Sequence, residues 1–330
     1  MGSLSTRRGD TDRGANGAFV GADAGFAPVT GAHPSLAVLA RCNAHEGPTY
    51  LARDDALYVT TTPGGRPPTA LVKRIALDGD RVGLGPDRVI LVPSSAVMPN
   101  GMTAWNSGLL VCEQGGLNSP ARLSSLDPRT GTTTTVVQDY GGRPFNSPND
   151  VVVRRDGTIW FTDPSYGHLQ GFRPTPELPD ALYRFDPMTG DLRMVADDLD
   201  KPNGLAFSPA GAVLYVADSG AVHGPGSYHP GRPHHVYAYD VVGGKALGVR
   251  RVLDVAPAGT PDGLAVDEDG RIYVCAADGV RVLAPDGTLL GRIAVPGGAV
   301  NLTFGGRDRD RLFISADTAV WVAVLNTRGA

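Results

Sequence analysis

Six times along this 330-residue chain, a turn marked by Gly or Pro sets one oxygen-bearing side chain 9 to 11 residues ahead of the centre of a short apolar strand. The turns read His45-Glu46-Gly47-Pro48, Pro99-Asn100-Gly101, Pro148-Asn149-Asp150, Pro202-Asn203-Gly204, Pro261-Asp262-Gly263 and Val300-Asn301-Leu302, and the strands centre on Leu57, Leu109, Ile159, Leu214, Ile272 and Leu312. A repeat of this length, held in register six times, restricts the chain to an array of like units. If the units close into a ring, Glu46, Asn100, Asn149, Asn203, Asp262 and Asn301 meet on its axis. Oxygen donors gathered on one axis suit a hard cation.

Each unit supplies its own strands. An entry strand such as Gly204-Leu205-Ala206-Phe207 follows the turn, then a polar hairpin such as Arg155-Asp156-Gly157, then a wholly apolar or alternating strand such as Ile272-Tyr273-Val274-Cys275. A third and a fourth strand follow most of these, as in Ala181–Phe185 and Leu192–Val195. Four antiparallel strands per unit, with no sustained helical period, predict an all-β six-bladed propeller with a central metal site. The sixth blade is completed either by the strand near Val320–Val324 or by the segment near Val38. In such a ring the six turn residues form the floor of a funnel. Three loops reach its rim: one from Cys112-Glu113-Gln114, one from Asp163 to His168, and one from Asp218 to His235. The last carries four of the seven histidines, His223, His229, His234 and His235, and reads as a lid or as solvated loop.

Composition adds exclusions. The 44 glycines and 27 prolines fit many tight turns, and a net charge of −4 gives no electrostatic footprint for nucleic acid. No apolar run reaches a membrane-spanning length. Three widely spaced cysteines, Cys42, Cys112 and Cys275, read as free thiols of a cytoplasmic protein. Residues 1–35 read as a flexible lead-in to a single domain over 36–330: Arg7-Arg8 is followed by Gly9-Asp10 rather than by an apolar stretch, and Gly and Ala dominate from Gly14 to Gly31. Trp105, Trp160 and Trp321 read as blade packing. No Gly-x-Ser-x-Gly elbow and no phosphate-binding glycine loop is present, so serine-hydrolase and nucleotide chemistry have no support.

Several stretches carry a likeness to a known family. Glu46-Gly47-Pro48, Phe145–Asp150, Asp156–Gly167, Lys201–Pro209, Leu214–Ser219, Pro261-Asp262-Gly263 and Asn301–Gly306 occur in the order and spacing of the senescence marker protein, gluconolactonase and luciferin-regenerating enzyme family. The chain resembles that family from Glu46 to its end. The resemblance implies a six-bladed propeller holding one divalent cation, with Glu46, Asn149, Asn203 and Asp262 as its ligands. Two carboxylates and two amide oxygens suit Ca²⁺ best, with Zn²⁺, Mg²⁺ and Mn²⁺ also compatible. It further implies hydrolysis of a lactone or related ester, a small-molecule substrate, the cation polarising the carbonyl and Asp262 serving as general base or nucleophile; the sequence leaves monomer and dimer open.

Asn100 and Asn301 are then expected to support the ligands or bind substrate. Glu113, Asp163, Tyr166 and Asp218 are candidate rim contacts. Glu113-Gln114 stands where many relatives carry Glu-His, which removes a possible proton shuttle, and Thr61-Thr62 where they carry Thr-Asp, so the resemblance does not carry over the family's sugar-lactone specificity. Two other readings use the same scaffold: a metal-dependent isomerase, cyclase or lyase of a biosynthetic pathway, and a non-catalytic calcium-binding propeller.

Overall fold

The computed structural model describes residues 17–224 and 226–330. Among them the repeats form six antiparallel sheets, five of four strands and one of five, with a two-stranded ribbon between the second and third. The innermost strands are Thr49–Leu51, Pro99–Trp105, Val151–Val153, Pro202–Phe207, Leu264–Val266 and Asn301–Gly305. Each touches the next, and the sixth touches the first. The sheets are therefore the blades of a closed six-bladed propeller, as the spacing of the turns predicts.

The apolar runs follow from this arrangement. A second strand such as Ala56–Thr60, Ile159–Asp163 or Ile272–Ala276 is buried at every residue, because both faces of its blade are covered by neighbouring blades. The core is accordingly split into six clusters, one in each interblade seam. Tyr58 and Val72 meet Met102 and Leu109 between blades 1 and 2, and Trp160 and Leu182 meet Leu205 and Leu214 between blades 3 and 4. The other four seams repeat the pattern. Trp160 is fully buried, with its indole N–H donated to Thr158 Oγ1 at 3.0 Å and its ring edge-on to Phe207 of the next blade.

Both strands considered for ring closure are used. Val320–Val324 is the third strand of blade 6, and Ser35–Ala40 pairs with it as the fourth, Ser35 opposite Val324 and Leu36 opposite Ala323. One blade thus joins the two ends of the chain. The lead-in expected over residues 1–35 lies outside the described residues as far as position 16. Beyond that it is fastened to the ring. Phe19–Gly21 adds a fifth strand to Leu289–Ile293, and Phe26 and Val29 of the short helix Phe26–Thr30 enter the seam between blades 5 and 6. The edge of blade 5 is covered by apolar side chains that a Gly- and Ala-rich average conceals. Among the described residues, no helix is long and apolar enough to cross a membrane.

The turn glycines have a reason that tight turns alone do not supply. A Cβ on Gly47 would lie 2.7 Å from the Asn100 carbonyl oxygen and from the Met102 nitrogen. One on Gly101 would collide with the Asn149 carbonyl, one on Gly204 with the Asp262 carbonyl, and one on Gly263 with the Asn301 side chain. Each glycine lets the turn of one blade lie against the turn of the next, so that the polar residues before them converge. Gly204→Ala is expected to lower stability by about 1–3 kcal/mol, read as a reduced urea midpoint, because backbone rather than a flexible side chain must yield.

Candidate functional site

The polar turn residues are pinned by hydrogen bonds between turn and second strand. In blade 1 the His45 N–H donates to Thr60 O at 2.7 Å and the Thr60 N–H to Glu46 O at 2.9 Å. In blade 3 the Asn149 N–H donates to Thr162 O and the Thr162 N–H to Asp150 O; in blade 5 Asp262, Cys275 and Gly263 repeat the pattern. Thr162 also links two blades, its hydroxyl accepting from the Asp150 N–H and donating to Asn203 O at 2.9 Å. These turn-to-strand bonds hold the turns of blades 1, 3 and 5 in place, so their side chains are presented from a fixed frame.

Five of the six, Glu46, Asn100, Asn149, Asn203 and Asp262, line one cavity of about 710 Å³. Asn301 lines a smaller cavity of about 190 Å³ together with the residues that follow the turns along the inner strands. Its amide Nδ2 donates to Glu46 Oε2 at 2.6 Å, and its Oδ1 accepts the Leu302 N–H, so it holds Glu46 from behind. The Asn203 amide donates to Ser219 Oγ at 3.2 Å, and Ser219 in turn donates to Pro261 O.

Three oxygens of the turn residues, Asn100 Oδ1, Asn149 Oδ1 and Asp262 Oδ1, are buried without a hydrogen-bond partner among the described residues, as is Thr60 Oγ1 on the same cavity. Buried polar atoms are seldom left so, and three converging on one cavity mark a place where a ligand supplies the missing partner. The charges point the same way. Burial, then the neighbouring Asp262 charge, holds Glu46 well above the usual carboxylate range. Burial lifts Asp262 to about 6, against the opposing effects of His45 and an Asn203 hydrogen bond. Asp150, beside them, is lifted by burial to about 7 although its Oδ1 accepts the Val151 N–H. Three neighbouring carboxyl groups that resist ionisation are relieved by a bound cation. Among the described residues no three His, Cys, Asp or Glu side chains are grouped to hold a metal, so a cation here depends on amide oxygens, a hard donor set.

The rim divides the expected residues. Tyr166, on the short helix Tyr166–Leu169, lines the cavity; burial, then the Asp262 charge, keeps its phenol protonated far into alkali. Gln114 lines it too. Glu113, Asp163 and Asp218 do not. Each ends a second strand, fully buried, and spends its carboxylate on backbone N–H groups of the segment entering its own blade. Asp163 accepts from Asn146 and Ser147, Asp218 from Asp200 and Lys201, and Glu113 from Val97 and the Arg122 guanidinium. They are fasteners of the rim, and Glu113→Ala is expected to cost about 1–3 kcal/mol in urea unfolding by stranding the Val97 N–H and the Arg122 charge.

The histidine loop forms part of the wall. The His229 N–H donates to Ala221 O and the Ala221 N–H to Pro233 O, while Ser227 Oγ accepts from the His223 and Gly224 N–H groups. Of its four histidines only His223 lines the cavity. One group the motifs did not single out lies beside Glu46. His45 also lines the cavity, its Nδ1 2.7 Å from Asp317 Oδ1. Burial lowers its pKa, but the Asp317 hydrogen bond and the charges of Glu46 and Asp262 outweigh this and raise it to about 9. Its position one residue before Glu46 is the only sequence signal for it.

Comparison with known proteins bears on the family and the fold. The family model described as the SMP-30/Gluconolactonase/LRE-like region matches residues 44–318. Lactonohydrolase oryL of Aspergillus oryzae is 32% identical over 291 residues, 82% of this chain, and a gluconolactonase of Zymomonas mobilis is 33% identical over 229 residues, 66% of it. The matches span 65% and 60% of those two proteins' lengths, just under two thirds of each. The solved structure of a gluconolactonase from Xanthomonas campestris superposes with a TM-score of 0.76 at 32% identity, covering 93% of this chain and 94% of that one. With a closed ring of six blades, a polar floor built from five of its six turns and a family match over most of its length, this chain belongs to the SMP-30/gluconolactonase/luciferin-regenerating enzyme family.

Proposed function

We propose that the protein is a divalent-cation-dependent hydrolase of lactones, with Glu46, Asn149, Asn203 and Asp262 holding the cation and Ca²⁺ the best match to that oxygen set. The observation that carries the reading is the trio of unpartnered buried oxygens, Asn100 Oδ1, Asn149 Oδ1 and Asp262 Oδ1, on a floor shared with Glu46. Asn100 has the same claim to a cation or to substrate as Asn149, since both amide oxygens are equally without partners. Relatives named as a lactonohydrolase and a gluconolactonase support the substrate class.

The cation, when bound, supplies Lewis-acid polarisation of the lactone carbonyl. The chain's own groups do the rest. Asp262 Oδ1, unpaired and facing the cavity, accepts a proton from the water that attacks the carbonyl carbon. That proton passes to the ring oxygen as the C–O bond breaks, giving a hydroxy acid. Ser219 keeps the Asn203 amide turned, and Asn301 does the same for the Glu46 carboxylate, so neither has to reorganise during the reaction. Tyr166, a neutral phenol on the wall, offers a donor to substrate oxygens.

The test is a panel of five- and six-membered lactones assayed with chelator and after adding back Ca²⁺, Mg²⁺, Mn²⁺ or Zn²⁺. Turnover lost with chelator and restored by cation is the expected result. Hydrolysis undiminished in chelator would remove the cation from the reaction.

A further inference from the structure

Resting on that lactonase reading, we propose that the substrate is a neutral lactone carrying an apolar substituent, which lies against one side of the cavity while the lactone ring sits on the polar floor. The cavity, at about 710 Å³, is several times larger than a single lactone ring needs, and its walls differ in chemistry. On the side of blades 1 to 3 it is lined by Pro63, Pro68, Pro99, Leu169 and Phe172. Phe172 is backed by Ala70 and Met98 in a small apolar cluster separate from the six interblade seams. Leu169 is 44% exposed at the same site, an apolar side chain left partly uncovered among the described residues.

No Lys or Arg lines the cavity among the described residues. The nearby cations are committed elsewhere. Arg173 donates to the backbone carbonyls of Phe145, Asn146, Gly116 and Ser119. Lys201 is held by Asp180 and Asp200, and Arg232 by Asp200. Arg66, on the loop between Pro63 and Pro68, is exposed and outside the lining. On the floor, a divalent cation would be balanced by the Glu46 and Asp262 carboxylates, and His45 is paired with Asp317 at 2.7 Å, leaving no net positive charge for a second anion. A phosphate, sulfonate or carboxylate on the far part of the substrate would lose its water against Pro and Phe and gain no partner. Uncharged groups on the remaining wall, Thr61, Gln114, Tyr166 and Ser227, accommodate hydroxyls on the ring.

The test uses the Ca²⁺-loaded protein and the series δ-valerolactone, δ-hexalactone, δ-octalactone and δ-decalactone, with a δ-lactone bearing a terminal carboxylate on a chain of matching length. The expected result is a kcat/KM that rises about fourfold per added methylene over the first few carbons. The carboxylate analogue should fall at least about tenfold below its neutral counterpart. Leu169→Ser should lower the ratio of octalactone to valerolactone turnover; Leu169 is half exposed, so this variant remains informative where Phe172→Ala disturbs the cluster behind it. Matching δ-lactams, read by thermal shift, report the wall apart from catalysis. Lactam stabilisation that grows with chain length in a protein that hydrolyses no lactone would uphold the apolar wall and overturn the lactonase reading. A flat or falling series in both lactones and lactams, or a carboxylate analogue as good as the neutral one, would overturn the proposal itself.

Discussion

Asp262→Asn is expected to lower lactone turnover by about a thousandfold while the folded protein still takes up a divalent cation. The magnitude follows from removing a general base, a loss of roughly 10² to 10⁴ in rate. The substitution keeps the shape of the side chain and an oxygen at the position of the unpartnered Oδ1. It removes the basicity and one negative charge. Asn149 and Asn203 already present amides to the same cavity, so a third amide is compatible with the cation site although one negative charge is lost. The apoprotein should unfold at the same or a higher temperature than the parent, because Asp262 is itself held up by burial and its charge disfavours ionisation of the neighbouring buried Glu46. Initial rates across a cation titration, with binding followed by calorimetry, separate the two effects. Turnover within tenfold of the parent at saturating cation would assign the proton transfer elsewhere, and His45, on the same cavity and held by Asp317, would be the next group to test.

The turns were legible because they obey one rule six times over. A polar residue that keeps its distance from an apolar strand in every unit has to occupy equivalent places in a ring, and five of the six do share one cavity. Spacing alone does not set the sixth apart. Asn301 sits at the same register, yet its amide turns to Glu46, and only the three-dimensional neighbourhood distinguishes an oxygen left free from one already engaged. The same limit applies to Glu113, Asp163 and Asp218. Motif position put them at the rim, where their strands do end. Whether a carboxylate turns into the funnel or back onto backbone N–H groups 16 to 18 residues earlier in the chain depends on how the entering segment is folded. Spacing does not carry that information.

Ring closure was open for a related reason. Ser35–Ala40 is an ordinary short apolar run whose partner, Val320–Val324, lies at the other end of the chain, and pairing at that separation leaves no local trace. Phe19, Phe26 and Val29 were lost in a stretch whose average composition is small and polar. Three well-placed apolar side chains were enough to fasten it, which a compositional reading weighs too lightly. The glycines after the turns were read as turn formers, but at Gly101, Gly204 and Gly263 the reason is the neighbouring blade's backbone or side chain.

Glu46→Gln should act on the cation before it acts on the chemistry, and this distinguishes the first turn from the fifth. Glu46 is the one carboxylate that blade 1 offers to the floor, and Asn301 Nδ2 already occupies its Oε2 at 2.6 Å. Glutamine removes a charge from the donor set and confronts the Asn301 amide either with an amide NH₂ or with the carbonyl that the cation needs. Affinity for Ca²⁺ is expected to fall by about a hundredfold, in line with the sensitivity of such sites to ligand charge and orientation. At a cation concentration of about 100 times the parent's Kd, the parent gains about 2.7 kcal/mol of stability and the variant only about 0.4 kcal/mol. Raising the cation concentration a further hundredfold should restore most of the turnover of Glu46→Gln and none of that of Asp262→Asn. Asn301→Leu, whose site lies outside the main cavity, should reproduce a milder form of the Glu46→Gln defect, about 10- to 100-fold in affinity, because the carboxylate loses the Asn301 hydrogen bond. Unchanged Ca²⁺ affinity in Glu46→Gln would take Glu46 out of the ligand set, and its high buried carboxyl would then need a proton rather than a metal as its partner.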